Sequence, residues 1–147
     1  MAGQPVKRGT MAHEHDVYTL LADTAAWQRD LDGLRVLGPQ AESLATRDDH
    51  KLHRPILWRA SGVEHRLEGR LGEAEVLFER ALKAFEQMDG SDWQTARTLT
   101  ELAELALDCA EKDLARAYYA RALPIFETMR AAPDADRVRA ALARLDA

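Results

Sequence analysis

The sequence predicts an all-α protein in which antiparallel helix hairpins repeat along the chain. The clearest sign is an internal repeat, because ERALKAFEQM at 79–88 aligns without gaps with ARALPIFETM at 120–129, a shift of 41 residues with six of ten positions identical. Apolar residues recur every three or four positions within each period, which is the spacing of one helical face. A period of this length accommodates two helices, so the repeated unit predicts a hairpin and the chain a stack of hairpins.

The middle unit, 50–89, shows how each hairpin is built. Its first helix has Pro55 in or near the first turn, where the missing amide hydrogen costs little. Gly69 and Gly72 are expected to end that helix and turn the chain. A second apolar stripe then runs from 74 to 85 and predicts the returning helix.

The last unit, 91–130, repeats this plan with three differences. Ser91 and Gln94 fit a capping box at the start of its first helix, with the Ser91 hydroxyl as the N-cap. The turn between its helices, expected around 111–113, contains no glycine. Pro124 falls inside the second helix, where a proline is expected to kink or end it, at a cost of about 3 kcal/mol without compensation.

The two ends of the chain complete the predicted organisation. A fainter copy of the repeat spans 15–48, at a shift of about 40 from the middle unit. A break at 131–134 leads into a helix at 134–146, whose charged outer face suits a cap in contact with water. We therefore predict a single helical domain at 15–147 preceded by a flexible tail at 1–14.

Composition excludes several classes of protein. The 147 residues are 46% hydrophobic and 31% charged, with 20 basic and 25 acidic residues interspersed and a net charge of −5. Nucleic acid is not an expected partner, because binding phosphates requires a clustered basic face. No stretch approaches the ~20 apolar residues of a membrane span, so no membrane association is expected either. Few lysines and no asparagine suggest a GC-rich bacterial genome.

The residues able to carry chemistry do not form a convincing site. Cys109 is the only cysteine, which excludes an internal disulfide and fits a reducing cytoplasm. His13-Glu14-His15 and the pair His50 and His53 are interpreted as surface histidines, because a metal site needs about four convergent ligands. Ser61 and His65 lie four apart on one helix, but no third orienting residue is near and His65 is expected to pack between helices.

The spacing of small and large residues resembles the tetratricopeptide repeat (TPR). Six residues match the pattern of that family. In order, they are a large apolar residue (Trp58), a small one (Gly62), a turn residue (Gly69), a small one (Ala74), an aromatic one (Phe78) and a small one (Ala81). The period of 41 exceeds the usual 34 residues and resembles the extended-helix variety of kinesin light chains and bacterial signalling proteins. The last unit departs from the pattern at Ala106, where an aromatic residue is preferred, and at Ala110, where a glycine is. The resemblance implies a right-handed solenoid of about three repeats and a capping helix.

The resemblance also implies a concave groove lined by the first helix of each hairpin. The groove positions and their neighbours are Asp23, Trp27, Arg59, Val63, Arg66, Arg97, Thr100, Glu104, Leu107 and Asp108. One interpretation is that the arginines of this set hold carboxylates of a partner by forked hydrogen bonds. The other is that they merely solvate an exposed face. Capture of chaperone tails, which uses paired asparagines in some relatives, is not expected.

The function implied by the resemblance is to bind a protein or peptide segment in this groove, without enzymatic activity or a cofactor. A free-standing adaptor is the first hypothesis, and a regulatory or sensor module of a bacterial signalling or transcription system is the second. A metal-dependent enzyme is a distant third. A homodimer is left open, because a short solenoid exposes apolar ends and because Trp27 or Trp93 could seed a contact between copies.

Overall fold

The computed structural model describes residues 16–47 and 49–147, and this part of the chain is all α-helix with no strand. Residues 16–27 are helical and form α1. The remaining helices are α2 (Leu31–Arg47), α3 (His53–Leu67), α4 (Leu71–Glu86), α5 (Asp92–Asp108), α6 (Lys112–Thr128) and α7 (Ala132–Asp146). Successive helices from α2 to α7 pack against one another. Three hairpins followed by a single helix confirm the all-α repeat fold.

The turns between helices repeat one backbone conformation with a spacing of 40 or 41 residues. After the first helix of each hairpin, a residue with positive φ stands at Arg29, Gly69 and Ala110. After the second helix, one stands at Asp49, Gly90 and Arg130. In the middle hairpin the amide of Gly69 donates to the carbonyl of Arg66 at 3.0 Å, and that of Arg70 donates to His65 at 2.8 Å. This pair of bonds is a Schellman motif, which ends a helix and reverses the chain.

Small residues let the helices of a hairpin approach closely. Gly62 on α3 lies directly against the ring of Phe78 on α4, since an added Cβ would come within 2.5 Å of the ring carbon Cε1. Ala74, Phe78 and Ala81 are completely buried. Their equivalents one period later, Ala115, Tyr119 and Ala122, are buried as well. The predicted alternation of small and large residues is therefore what fills the core.

Two details of the predicted turns are wrong. Ser91 is the N-cap of α5, but its backbone is not extended and its side chain makes no capping hydrogen bond, so the capping box does not form. Gly72 lies inside α4 and takes no part in the turn, because Gly69 has already reversed the chain. The glycine-free turn does exist, slightly earlier than predicted, at Ala110.

Pro124 does not end α6. The helix continues through it to Thr128. Pro124 itself is exposed, whereas Ala122 before it and Phe126 after it are buried in the core. Packing on both sides of the proline therefore keeps the helix continuous despite the lost hydrogen bond.

Some sequence predictions fall outside the described residues. The tail at 1–14 and the cluster His13-Glu14-His15 belong to this group. Within 16–47 and 49–147, no helix is both long enough and apolar enough to cross a membrane.

Candidate binding cleft

The first helices of the three hairpins are tied together by ion pairs between arginines and carboxylates. Asp23 on α1 accepts hydrogen bonds from Arg59 on α3 at 3.3 Å and from Arg97 on α5 at 2.6 Å. Arg29, in the turn after α1, donates two hydrogen bonds to Glu101 on α5, at 2.9 and 2.7 Å. It also contacts Glu104. The first hairpin is thus attached directly to the third.

A second ion pair joins α3 to α5 at their other end. Arg66 donates to Asp108 at 3.0 Å and lies 3.9 Å from Glu104. The arginines and carboxylates of the inner network therefore pair with one another, in one set of contacts around Asp23 and another around Glu101 and Glu104.

Burial sets the protonation behaviour of this network. Arg59 and Glu101 have no exposed surface, and Arg97 is 3% exposed. Burial and the repulsion of Arg97 lower the pKa of Arg59 to about 10, against the attraction of Asp23 and Glu101. Burial would raise the pKa of Asp23, but the charges of Arg59 and Arg97 outweigh it, so this pKa lies below the ordinary value. Asp23 is therefore ionised at neutral pH and compensates two buried guanidinium groups.

The expectation that Arg59, Val63 and Arg97 lie on an exposed groove surface is wrong. All three are buried, because α1 and the turn after it lie across α3 and α5. Arg59 donates to the hydroxyl of Thr98 at 3.2 Å and lies over the ring of Phe85 at 5.3 Å. It neither solvates a surface nor awaits an external carboxylate.

An open cleft remains where the end of α1 meets α5 and α7. It consists of two adjoining cavities, of about 360 and 390 Å³, which share Trp27, Asp134 and Arg137. We call this region the Trp27 cleft. Its first cavity is also lined by residues that include Arg29, Thr100, Glu104, Tyr119 and Arg144, and its second by Asp23, Thr24, Trp93, Arg97 and Pro133.

Tryptophan and arginine side chains alternate along this cleft. The guanidinium of Arg97 lies 5.4 Å from the ring centre of Trp93 and 4.7 Å from that of Trp27. Arg137 covers the same Trp27 ring at 4.4 Å. The indole Nε1 of Trp93 donates to Asp134 at 3.3 Å. These contacts hold both indoles in place by cation–π attraction.

Arg97 is buried with hydrogen-bonding capacity to spare. Its Nη1 donates to Asp23, but within the described part of the chain its Nε and Nη2 have no hydrogen-bond partner. Almost every buried donor in a folded protein is paired, so an acceptor supplied from the adjoining cavity would satisfy these N–H groups.

The mouth of the cleft carries further charge. The Arg137 side chain is 58% exposed and its nearest described carboxylate, Asp134, is 3.9 Å away. Burial raises the pKa of Glu104, helped by Glu101 and opposed by Arg29. Burial also raises the pKa of Tyr119 to about 12, so its hydroxyl stays protonated at neutral pH. With Arg144 exposed nearby, the cleft has arginines at its rim, and the carboxyl groups of Asp23, Glu104 and Asp134 also line it.

Half of the predicted groove residues meet at this cleft, namely Asp23, Trp27, Arg97, Thr100 and Glu104. Arg66, Leu107 and Asp108 do not line either cavity. Leu107 and Asp108 are exposed.

Sequence reasoning missed the residues that α7 and the α1–α2 turn contribute, chiefly Arg29, Asp134, Arg137 and Arg144. The sequence of the last helix predicts an outer cap with a charged face. Its periodicity does not indicate which of the charged side chains line the cleft.

The remaining candidate chemistry is dispersed. No group of three His, Cys, Asp or Glu residues in 16–47 and 49–147 is placed to hold a metal ion. The rings of His50 and His53 stack at 3.7 Å; His50 is at the surface as expected, but His53 is buried. His65 is only partly buried, and its Nδ1 accepts a hydrogen bond from Arg70 at 2.8 Å. These histidines thus contact their neighbours without converging on a site.

Comparisons with known proteins agree with the repeat geometry. The family model described as tetratricopeptide repeat matches residues 55–128, which begin near the start of α3 and reach the end of α6. No curated protein matches the chain.

Proposed function

Because the chain belongs to the tetratricopeptide repeat family, whose repeats generally mediate protein–protein interactions, we propose that it is an adaptor that holds an acidic segment of a partner protein in the Trp27 cleft. This proposal retains the groove-binding mode of action expected from the sequence, but it assigns the binding to a different surface. The contact surface lies between α1, α5 and α7 instead of along α3.

The observation that carries the proposal is the unpaired guanidinium edge of Arg97. Leaving buried N–H groups without an acceptor costs about 1–3 kcal/mol or more for a charged group. A small rotation of the Arg97 side chain would let a carboxylate in the second cavity accept from Nη2, and hydrogen bonds between two charged groups are the stronger kind. Arg137 and Arg144 at the rim would attract an acidic segment and guide its approach.

The dimensions favour side chains of an extended segment over a whole helix. Each cavity, at about 360 or 390 Å³, lies at the lower end of the range for small-ligand pockets. Trp27 lies between the two cavities. Two side chains of the partner that flank a single residue can therefore each enter a different cavity. The indole faces add apolar contact with low conformational entropy cost.

A charge reversal at the rim tests the proposal. Display of random peptides on the wild-type chain should select segments rich in Asp and Glu, and Arg137→Glu should weaken their binding at least tenfold. Arg139→Glu is the matched control, because Arg139 lies on the same helix with similar exposure but pairs with Glu127 and Asp136 on the outer face. Selection of uncharged segments, or equal binding by both variants, would refute the proposal.

The finer roles expected from the sequence stay predictions. A regulatory task in a bacterial signalling or transcription system has no described residue that bears on it. The family is typically a non-catalytic interaction module, and the cleft is interpreted here in that sense.

A further inference from the structure

The first hairpin has an exposed face with no charged residue at its centre. On the outer side of α1 and in the turn after it, the exposed side chains from 17 to 28 are all uncharged: Val17, Leu20, Leu21, Thr24 and Gln28. Leu20 is 66% exposed and Val17 is 50% exposed. Their spacing places them on one side of the helix, opposite the buried Ala22, Ala25 and Ala26.

The uncharged surface continues onto α2. Val36 is 61% exposed, and Gln40 and Ser43 follow it on the same side of the helix. Two charged residues of α2 lie on other sides of the helix: Arg35 pairs with Glu68 at the end of α3, and Glu42 lines a cavity shared with α3. Asp32 and Arg47 stand at the two ends of the helix.

A shallow groove of about 480 Å³ runs between the two helices. It is lined by Tyr18, Pro39, Gln40, Ser43 and Leu44. In the stacked hairpins, α3 lies against α1 and α2 from one side, and this groove opens on the other. Its shape would accommodate one more helix packed between α1 and α2. We call the surface formed by these exposed uncharged residues the N-terminal face; its members are Val17, Leu20, Leu21, Thr24, Gln28, Val36, Gln40 and Ser43.

The opposite end of the stack is different. Around α6 and α7 the outer surface carries ion pairs, with Arg139 at 2.6 Å from Glu127 and Arg116 at 3.1 Å from Asp146. Charges of this kind would be costly to bury against an uncharged surface. A head-to-tail stack of chains, in which the N-terminal face of one copy meets the last helix of the next, is therefore unfavourable.

We propose that the N-terminal faces of two copies of this chain pack against each other in a two-fold dimer. A two-fold interface brings identical surfaces together, so an uncharged face meets an uncharged face without repulsion. The ridge of Val17, Leu20 and Leu21 on one copy fits the groove between α1 and α2 of the other. Val36 and the groove residues line neither cavity of the Trp27 cleft, and Thr24 is the residue at which the two surfaces meet.

The size of the face sets the expected strength. A 17-residue helix such as α2 is about 25 Å long, and two helices side by side present a surface about 20 Å wide. Each copy would bury roughly 500 Å², near the lower limit of about 1,000 Å² in total for a specific interface. The dimer should therefore be weak and dissociate on dilution.

Sedimentation equilibrium of the full chain over roughly 1 to 500 μM tests this, because that range suits an interface of such a size. The average mass should rise from one copy and level off at two. Leu20→Glu and Val36→Glu should each weaken association at least tenfold, because two like charges would be buried together. Val76→Glu is the matched control: Val76 is 65% exposed on α4, outside the face.

Circular dichroism of each variant establishes that it is folded before association is compared. A wild-type chain that stays a single copy at 500 μM overturns the proposal. So does association that ignores both Leu20→Glu and Val36→Glu, or that Val76→Glu weakens equally. Growth beyond two copies without a plateau would also overturn it, because it would indicate head-to-tail stacking.

Discussion

The guanidinium of Arg29 and the carboxylate of Glu101 form two parallel hydrogen bonds although 72 residues separate them in the sequence. Glu101 is completely buried, and Arg29 is the arginine with which its carboxylate pairs. Fork-shaped pairs of this type are geometrically specific as well as strong. The relationship joins the first hairpin to the third and shapes the cleft beside it.

Arg29→Met should lower the free energy of unfolding by about 3–5 kcal/mol, because it leaves the buried Glu101 carboxylate without its partner. Urea denaturation measures this. Arg35→Met is the control: its pair with Glu68 is exposed on the arginine side, so solvent screens the charges and the free energy of unfolding should hardly change. In the double variant Arg29→Met, Glu101→Met, most of the stability should return, since neither charge is then buried alone. A loss no larger than that of Arg35→Met would contradict the role assigned to Arg29.

Asp23→Asn should flatten the acid side of the stability profile. The folded-state pKa of Asp23 is lowered, so its contribution is fully present above its unfolded value near 3.8 and is lost as pH falls below that value. The difference in unfolding free energy between wild type and Asp23→Asn should therefore be constant above about pH 5 and shrink below about pH 4. At neutral pH we expect it to be about 3 kcal/mol, because Arg59 and Arg97 lose their shared carboxylate. A difference that does not change with pH would show that Asp23 is not the titrating partner.

Gly62→Ala should destabilise the fold by about 1–3 kcal/mol, because the added methyl group would overlap the buried ring of Phe78. Gly72→Ala offers a matched control in the neighbouring helix α4. Nothing lies within 4 Å of the position of its added Cβ, so the better helix propensity of alanine should stabilise the fold by up to about 1 kcal/mol. Thermal unfolding distinguishes the two. Equal effects of the same sign would mean that the contact between Gly62 and Phe78 has been overestimated.

Ala110→Gly and Gly69→Ala should have opposite effects of similar size. Both positions adopt positive φ at the same turn of successive hairpins, 60° for Ala110 and 82° for Gly69. Compared with alanine, glycine avoids a left-handed strain of about 1–2 kcal/mol in the folded state, but it loses more conformational entropy on folding. The net preference for glycine at such a position is therefore roughly 0.5–1 kcal/mol. Ala110→Gly should raise the melting temperature and Gly69→Ala should lower it. If both lower it, Ala110 is stabilised by contacts that its conformation does not reveal.

The fold was predictable because its signals are local. A sequence displays helical spacing directly. The match between 79–88 and 120–129 and the placement of Ala74, Phe78 and Ala81 depend on that spacing alone. Pro124 does not end α6 for a tertiary reason, since Phe126 and Ala122 keep the helix continuous through core packing. The capping box at Ser91 failed because its backbone angles keep the hydroxyl from the amides it would cap.

The candidate site was only half predictable because it depends on contacts across the stack. Arg59 occupies the position expected for a groove residue, but Asp23, 36 residues away, covers it. Nothing local to Arg137 indicates that it reaches Trp27, 110 positions earlier in the chain. Periodicity identifies which face of a helix is apolar, but it does not show that the first hairpin contacts the third.

The attachment of α1 to α5 also changes how the chain should unfold. In a linear array of repeats each unit contacts only its neighbours, so the ends can melt first while the middle stays folded. Here Arg29 and Asp23 bond to residues two hairpins away, so the first hairpin cannot separate without breaking buried ion pairs of the third. Hydrogen exchange should therefore protect amides of α1 and α5 to a similar degree, in a single cooperative transition without gradual melting from the N-terminal end.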